Sequence, residues 1–515
     1  MFEFAVLVGI YSYFLFLLGL LGSLGIFPLT ASLIVFLTVS LTIFIRNHPL
    51  LKLINFVNKL ATVEKAALFL LVVLMLINLI GALGPETAFD SLWYHLTIPK
   101  VYLANQKIFY ITGGLLYYSV MPKLIDIIYI PFIALKIDIL TKLLSFLFSI
   151  LTVFVIYRTA RLFFTKHIAL ITVLVFYSNL VVSWEATTSY IDFGRTFFES
   201  LAVYYLIIFL NKKKNEQLIK IGIAEGLSIS SKILAVGSLI PLFLTLLWDR
   251  IKLKKIFLCM LISVLIPLPW FIFAYVSTGN LFYPFFSPLF QTYPGVDLLA
   301  PVKLLRSPDP ISPIYFISLP LIVLYYKKYK PIYKKTVIYA FLTFLVWWIS
   351  PQTGGGRFLM PYLPVYSILV GGVIFYSSKN VAKYLTLVVV FITVVTIFYR
   401  LGANMRYLPV VLGKESRQEY LSKNLKYDFG DFYDTDGYFS KHITQKDVVL
   451  TYNIHNLYYI DFPFIDSTWI KKGDKFNYLL VRGNIPTRFK KWKLVYKNNK
   501  TNIKLYSGGG KMWEY

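Results

Sequence analysis

Apolar runs long enough to cross a lipid bilayer recur over the first 400 residues, and this pattern constrains the fold most. A helix needs about 20 apolar residues to span the hydrocarbon core. Only 15% of the residues are charged, which excludes an ordinary soluble enzyme and a disordered chain. We predict a mostly α-helical, polytopic membrane domain over residues 1–400. Its 13 membrane segments are expected at about 4–22, 26–45, 66–83, 139–157, 168–184, 194–210, 219–231, 233–247, 256–275, 312–326, 336–350, 359–377 and 384–400.

Charge predicts how these segments are oriented. The net charge of +27 would suggest a nucleic-acid partner in a soluble protein. Here the cations concentrate in short loops between apolar runs, which the positive-inside rule places in the cytoplasm. We therefore predict no nucleic-acid partner, a multi-pass protein of a prokaryotic plasma membrane, and a cytoplasmic N-terminus. The basic loops lie at residues 46–65, 158–166, 212–220, 250–255, 327–335 and 379–383.

Two of these loops, 212–220 and 250–255, are too close together for a simple crossing. A single helix between them would put them on opposite sides of the membrane. We therefore predict two shorter helices that bend near Ser230, Ser231 and Lys232, with Lys232 directed towards the outer face. The outer segments are then Gly84 to about Lys136 (the first outer loop), Ser277–Pro310, 184–195, 352–361 and the C-terminal residues.

Residues 401–515 differ in composition from the rest of the chain. They are 26% charged, against 12% for residues 1–400. Short runs at 448–453, 476–483, 492–498 and 502–508 are typical of strands separated by Gly, Asn and Asp turns. We predict a small α/β domain outside the cytoplasm.

Carboxylates are scarce before residue 400, and many of them fall on the predicted outer side: Glu86, Asp90, Asp126, Asp138, Glu185, Asp192, Asp297 and Asp309. In the first outer loop, Asp90 precedes Trp93, Tyr94 and His95. A carboxylate in a partly dry cleft can serve as a general base for a hydroxyl. The alternative is an N-cap for a helix that begins near Ser91.

A metal ion is a further hypothesis for the first outer loop. Glu86 and Asp90 are the expected ligands, with His95 as a third group, and oxygen ligands suit Mg²⁺ or Mn²⁺. The alternative for His95 is simple packing at the membrane interface.

A second acidic motif, with Tyr190, Asp192 and Arg195, begins a later apolar run. It is either a second wall of the same cleft or a helix-start carboxylate paired with Arg195. Lys232 lies within an apolar stretch, where it either snorkels or serves a site. Arg357 follows three glycines, a combination that suits a phosphate group or an ordinary interfacial arginine.

Taken in order, these segments resemble the polytopic, lipid-carrier-dependent glycosyltransferases of the GT-C fold, a superfamily that includes protein O-mannosyltransferases and aminoarabinose transferases. The resemblance extends over nearly the whole chain. The strings that carry it are DSLWYHLTIPKVYL, SYIDFGRTFF, GIAEGLSISSKILA, PWFIFAYVSTGNLFYPFF, GGRFLMPYLP and YLPVVLGKESRQEYL.

The resemblance implies an inverting transfer of a sugar from a polyprenyl-phosphate donor to an acceptor hydroxyl on the outer face. Asp90 would be the catalytic base, Asp192 would place the acceptor or a metal, and Lys232 and Arg357 would bind the donor phosphate. The acceptor would be a lipid-linked glycan or a protein. The substrate-binding set is Glu86, Tyr94, His95, Tyr190, Arg195, Lys232 and Arg357.

Two departures from the family pattern are visible. The chain has two extra N-terminal segments, and its first outer loop has one clear acid, Asp90, where the mannosyltransferase pattern has an adjacent Asp-Glu pair. Other functions stay open from the sequence. They are a flippase for lipid-linked glycans, a glycan polymerase or ligase with a lipid-diphosphate donor, and an assembly protein of the cell envelope.

Overall fold

Most of the described residues up to Met405 are helical, as the hydropathy pattern predicts. A computed structural model describes residues 1–288, 297–305, 309–350 and 355–515. Parts of the predicted outer segments Ser277–Pro310 and 352–361 therefore lie outside the described residues. The first ten helices are α1 (Phe2–Leu20), α2 (Ile26–Arg46), α3 (Pro49–Asn58), α4 (Thr62–Leu83), α5 (Thr97–Ala104), α6 (Leu124–Ala134), α7 (Ile139–Ala160), α8 (Lys166–Tyr177), α9 (Leu180–Glu185) and α10 (Asp192–Lys212).

Shorter and broken helices are common in the second half of the membrane domain, where prolines lie within or beside several of them. These helices are α11 (Asn215–Ser231), α12 (Leu239–Trp248), α13 (Leu253–Leu265), α14 (Leu268–Thr278), α15 (Ala300–Lys303), α16 (Ile314–Tyr325), α17 (Pro331–Ile349), α18 (Gly356–Leu359), α19 (Leu363–Tyr376) and α20 (Lys379–Met405).

The number of full crossings is lower than the sequence predicts. Within the described ranges, eight helices are long and apolar enough to span a membrane, or nine if α13 and α14, bent by 54°, form one span. Three further apolar helices are shorter: Leu124–Ala134, Lys166–Tyr177 and Ile233–Trp248. Each of the 13 predicted segments contains a helix, but breaks shorten several of them. The multi-pass membrane protein is confirmed, whereas 13 full-length crossings are not found by this criterion.

The two ends of the helix bundle differ in their charged residues. At one end of the bundle Lys213 and Lys335 both form ion pairs with Asp249, and Arg46 pairs with Glu3 beside the N-terminus. α11 stops at Ser231, and the chain returns to Asp249 through the 3₁₀ helix Ile233–Ser238 and α12. The predicted break near Lys232 is therefore present, and both basic loops lie at the same end.

The C-terminal residues form an α/β domain, as predicted. Its five-stranded sheet has the order β2-β1-β4-β6-β5, in which β2, β1 and β4 are parallel and β6 and β5 continue antiparallel. β3 and β7 form a separate antiparallel pair. The elements are α21 (Leu408–Val411), α22 (Arg417–Asn424), α23 (Tyr438–His442), β1 (Val449–Tyr452), β2 (Phe464–Asp466), β3 (Lys475–Phe476), β4 (Tyr478–Arg482), β5 (Lys493–Asn498), β6 (Ile503–Ser507) and β7 (Trp513–Glu514).

The domain is docked on the end of the bundle opposite the Asp249 ion pairs. The Tyr459 hydroxyl donates to the Glu86 carbonyl at 2.7 Å, and Lys100 Nζ donates to the Tyr458 and Ile460 carbonyls at 2.6 and 2.7 Å. One hydrophobic core continues from the helices into the segment Leu457–Ile460. The first outer loop therefore lies between the helices and the C-terminal domain.

Candidate active site

Asp90 is held by a guanidinium and a phenol. Its Oδ2 accepts a hydrogen bond from Arg357 Nη1 at 2.7 Å and a longer one from the Tyr94 hydroxyl at 3.3 Å. The side chain makes no capping bond to the turn that follows it, so the N-cap alternative is wrong. Asp90 is 16% exposed and Arg357 13% exposed. A carboxylate and a cation therefore face each other in a cleft that is largely shielded from water.

A π-helical turn, Ser91–His95, brings Tyr94 over Asp90. Such turns are rare and occur frequently at functional sites. Burial raises the pKa of the Tyr94 hydroxyl well above its ordinary value, and the nearby Asp90 carboxylate raises it further. Tyr94 therefore keeps its proton and acts as a donor to Asp90.

The second acidic motif lies beside the first. The backbone N–H of Asp90 donates to the Tyr190 hydroxyl at 3.1 Å, and the Arg357 guanidinium lies 4.9 Å from the Tyr190 ring centre. Asp192, the first residue of α10, pairs with Lys232 at 2.6 Å. Its Oδ2 is 4.0 Å from Arg357 Nε. The structure thus brings Asp90, Tyr190, Asp192, Lys232 and Arg357 into one cluster.

Glu185 belongs to this cluster, although the sequence analysis did not select it. Its carboxylate is 3.9 Å from Arg357 Nε and fully buried. Neither of its oxygens has a hydrogen-bond partner in the part of the chain that the structure describes. The scarcity of acids beside apolar runs was the available signal, because buried carboxylates at membrane depth tend to be functional.

Glu86 and His95 have structural partners instead. The Glu86 carboxylate accepts three backbone N–H bonds, from Thr87, Ala88 and Ser189, at 2.8, 2.7 and 2.5 Å. His95 Nδ1 is 2.7 Å from Asp126 Oδ1, and both side chains are buried. Glu86 and His95 belong to the predicted substrate-binding set, and these contacts show that both also stabilise the loop.

The predicted ligand set for a cation does not fit this arrangement. Glu86 is used by backbone donors, His95 by Asp126, and Asp90 by Arg357. Across residues 1–288, 297–305, 309–350 and 355–515, no group of three His, Cys, Asp or Glu side chains could hold a metal ion. The Mg²⁺ or Mn²⁺ requirement stays a prediction, without an assigned ligand set.

Arg195 lies in a separate polar cluster rather than beside Asp192. It donates to Glu199 Oε1 at 3.3 Å and to the Tyr362 hydroxyl at 3.2 Å. Ser238 connects the same two partners, at 2.5 Å to Glu199 and 2.8 Å to Tyr362. Lys232 is the residue that pairs with Asp192. The alternative in which Asp192 pairs with Arg195 is therefore wrong.

Gly356, directly before Arg357, allows close packing of the backbone. A Cβ on Gly356 would lie 2.1 Å from the Asp309 carbonyl oxygen, so only glycine fits there. Phe358 follows directly and carries Lys232 over its ring face, 4.7 Å from the ring centre. Gly354 is outside the described residues. The segment thus fixes Arg357 and Phe358 beside Lys232.

The sequence and the structure of the chain both have similarities to known proteins. A sequence model of the family described as dolichyl-phosphate-mannose-protein mannosyltransferase matches residues 136–273. No curated protein sequence matches the chain significantly. ArnT from Cupriavidus metallidurans in the apo state is 12% identical, with a TM-score of 0.59 over 87% of this chain and 98% of that one. The same protein bound to undecaprenyl phosphate is 13% identical, with a TM-score of 0.60 over the same shares.

The chain has the GT-C fold. The resemblance inferred from the sequence is confirmed at the level of the fold. The archaeal oligosaccharyltransferase AglB from Archaeoglobus fulgidus is more distant, at 13% identity and a TM-score of 0.46 over 80% of this chain and 69% of that one. Within this GT-C chain, Asp192 and Lys232 fall inside the family match, whereas Asp90 and Arg357 lie outside it.

Proposed function

We propose that this protein is a membrane glycosyltransferase that moves a sugar from a polyprenyl-phosphate donor to an acceptor hydroxyl, with inversion. The observation that carries the proposal is the pairing of Asp90 with Arg357 at 2.7 Å, beside the Asp192–Lys232 pair at 2.6 Å. A carboxylate that could act as a base and two cations therefore share a cleft that is largely shielded from water. The fold and the polyprenyl phosphate bound by the related ArnT support this choice of donor.

Asp90 is the general base of the proposed reaction. The acceptor oxygen forms a bond to the anomeric carbon while the bond from that carbon to the phosphate oxygen breaks on the opposite face. The acceptor proton passes to an Asp90 carboxylate oxygen. Tyr94, which keeps its proton, orients that carboxylate through its hydrogen bond to Oδ2.

Arg357 and Lys232 stabilise the departing phosphate. Charge develops on this group as the glycosidic bond breaks, and fixed cations in a water-poor site lower the barrier. Arg357 exchanges its bond to Asp90 for one to the phosphate, which frees the base when the donor is present. The buried Asp192 carboxylate, 4.0 Å from Arg357 Nε, offsets part of the guanidinium charge.

The proposed site of action is the outer face of a prokaryotic plasma membrane. The acidic cluster and the C-terminal domain lie opposite the basic loops, which the positive-inside rule assigns to the cytoplasm. Nucleotide sugars are cytoplasmic, so a lipid-borne donor is required on that face. The acceptor is a lipid-linked glycan or a protein.

The test is transfer or hydrolysis of radiolabelled polyprenyl-phosphate sugars by the purified protein in lipid nanodiscs, with and without EDTA. Asp90→Asn keeps the shape and removes the base, so we expect about a 10²–10⁴-fold loss of turnover. Asp297→Asn is the matched control, because Asp297 pairs with Lys303 at the surface. Equal turnover by both variants would refute the role of Asp90. Turnover of lipid-diphosphate donors alone would favour the polymerase or ligase.

A further inference from the structure

The C-terminal domain turns the carboxyl edge of its parallel strands towards the first outer loop. The segment after β1 contacts that loop through His455, and the segment after β2 reaches it through Thr468. The Thr468 carbonyl packs so closely on Gly113 that a Cβ there would lie 1.7 Å from it. In α/β folds, ligands bind in the crevice outside the carboxyl ends of the strands. This edge therefore faces the cleft that holds Asp90.

His455 extends an aromatic surface that begins in the loop. Its ring stacks on Phe89, with centres 4.9 Å apart, and lies 4.5 Å from the Trp93 ring. Tyr118 lies 5.2 Å from Trp93. All members of this aromatic wall are partly exposed: Phe89, Trp93, Tyr117, Tyr118 and His455. Phe89, a member of this wall, directly precedes Asp90 in the chain. The wall itself contains no charged side chain.

A hydrogen-bond chain fixes the tautomer of His455. The Asn456 amide nitrogen donates to Asp431 Oδ1 at 2.5 Å, so the amide oxygen faces His455 Nδ1 at 3.2 Å. An amide oxygen can only accept, so the Nδ1–H donates this hydrogen bond. Burial lowers the pKa of His455, against the opposing effects of Asn456 and Asp90. The neutral ring therefore carries its proton on Nδ1 and leaves Nε2 as an acceptor.

We propose that the aromatic wall binds a pyranose ring of a glycan acceptor beside Asp90, and that His455 is a positioning residue of this subsite. The inference rests on the proposed function and specifies its acceptor class. The C–H face of a pyranose packs on aromatic rings, and its hydroxyls can donate to an acceptor such as Nε2. A peptide acceptor is the alternative, and the experiment tests it directly.

The experiment measures saturation-transfer NMR from the protein in nanodiscs to methyl pyranosides of glucose, mannose and N-acetylglucosamine. A serine-containing tripeptide is the second probe. We expect transfer to pyranoside ring protons in the wild type and about a five- to tenfold weaker affinity in His455→Ala. His455→Phe keeps the stacking but removes the Nε2 acceptor, so it should lose less affinity than His455→Ala, about threefold. His442→Ala, on the same domain but stacked on Tyr438, should change nothing.

Donor hydrolysis separates this inference from the proposed function. In His455→Ala we expect KM for a glycan acceptor to rise, whereas hydrolysis of a polyprenyl-phosphate sugar by water should fall far less than in Asp90→Asn. If His455→Ala fails to fold, Phe89→Leu removes a ring of the wall from the loop side and decides the question. Pyranosides that do not bind the wild type, or tripeptide binding that depends on His455, would overturn the inference. If the wild type binds pyranosides but does not turn over any polyprenyl-phosphate sugar, the proposed function would be refuted instead.

Discussion

At the scale of residues, ionisable groups of the same type serve opposite purposes in the first outer loop. Among the described residues, the partly exposed Asp90 carboxylate bonds side-chain donors, Arg357 and Tyr94. Glu86 is 5% exposed and bonds backbone N–H groups that cannot move without unfolding the loop. A carboxylate free to exchange partners suits catalysis, whereas one saturated by backbone donors stabilises the fold.

Glu86→Gln should therefore lower stability rather than remove a ligand. A glutamine offers one carbonyl oxygen in place of two, and its NH₂ group would oppose a backbone donor. We expect a loss of about 2 kcal/mol, measured as a lower midpoint of thermal unfolding in detergent. Glu64→Gln is the control, because Glu64 accepts a single backbone bond, from the Ala61 N–H at 2.9 Å, which a glutamine oxygen also accepts. Unchanged stability together with altered sensitivity to EDTA would restore Glu86 as a metal ligand.

At the scale of elements, helix breaks position the charged groups. Asp192 begins α10, Lys232 follows the last residue of α11, and Arg357 lies in the short α18. Backbone geometry outside regular helix is tolerated at membrane depth where it is buried in protein or lines a cavity. The breaks therefore bring the charges together at one level of the bundle, which continuous helices would not do.

The packing of α11 determines where its end, and so Lys232, is placed. Gly222 and Gly226 are four residues apart, the spacing that lets membrane helices approach closely. A Cβ on Gly222 would lie 2.8 Å from the Cys259 carbonyl oxygen in α13, and one on Gly226 2.7 Å from Ile266 Cβ. The small residues thus allow α11 to lie directly against α13.

Gly222→Ala should separate α11 from α13. We expect a loss of about 1–3 kcal/mol in thermal unfolding, because the neighbouring atom is backbone and must shift. Gly402→Ala is the same substitution in α20 at a position with no atom within 4 Å. That variant should be neutral or more stable by about 0.5–1 kcal/mol, since alanine favours helix. Similar midpoints for both variants would contradict the close packing.

At the scale of the whole molecule, the bundle has two chemically distinct ends. The basic loops and Asp249 lie at one end, and the acidic cluster with its docked domain lies at the other. Arg417 bonds both Asp138 oxygens and ties α22 to the start of α7. The domain is thereby held over the cleft rather than attached through its linker alone.

This arrangement predicts which residues are accessible from each side. The single cysteine, Cys259, is buried, so Cys259→Ser gives a silent background for labelling. Lys490→Cys, in the C-terminal domain, should react with a membrane-impermeant maleimide in intact bacterial spheroplasts. Lys214→Cys and Lys254→Cys should react only after permeabilisation, because basic loops stay in the cytoplasm. Labelling of Lys490→Cys and Lys214→Cys from the same side would refute the orientation.

The sequence by itself determined the membrane class, the helical segments, the α/β tail and the GT-C resemblance. The first three features depend on local composition and periodicity, which a single chain displays directly, whereas the resemblance depends on short strings that occur in one order. The break at Lys232 was also predictable, since two basic loops cannot lie on one side of the membrane without it. The sequence also indicates the charged residues of the cluster. Asp90, Asp192 and Lys232 are costly charges beside apolar runs, and Arg357 follows three glycines.

Only the tertiary structure decided the partners. Asp192 pairs with Lys232 rather than with Arg195, and Glu86 and His95 are engaged by Ser189 and Asp126. These contacts join residues far apart in the chain, and the packing angles of several helices set their distances. The contact of His455 with Phe89 depends on how a separate domain docks, which no local pattern encodes.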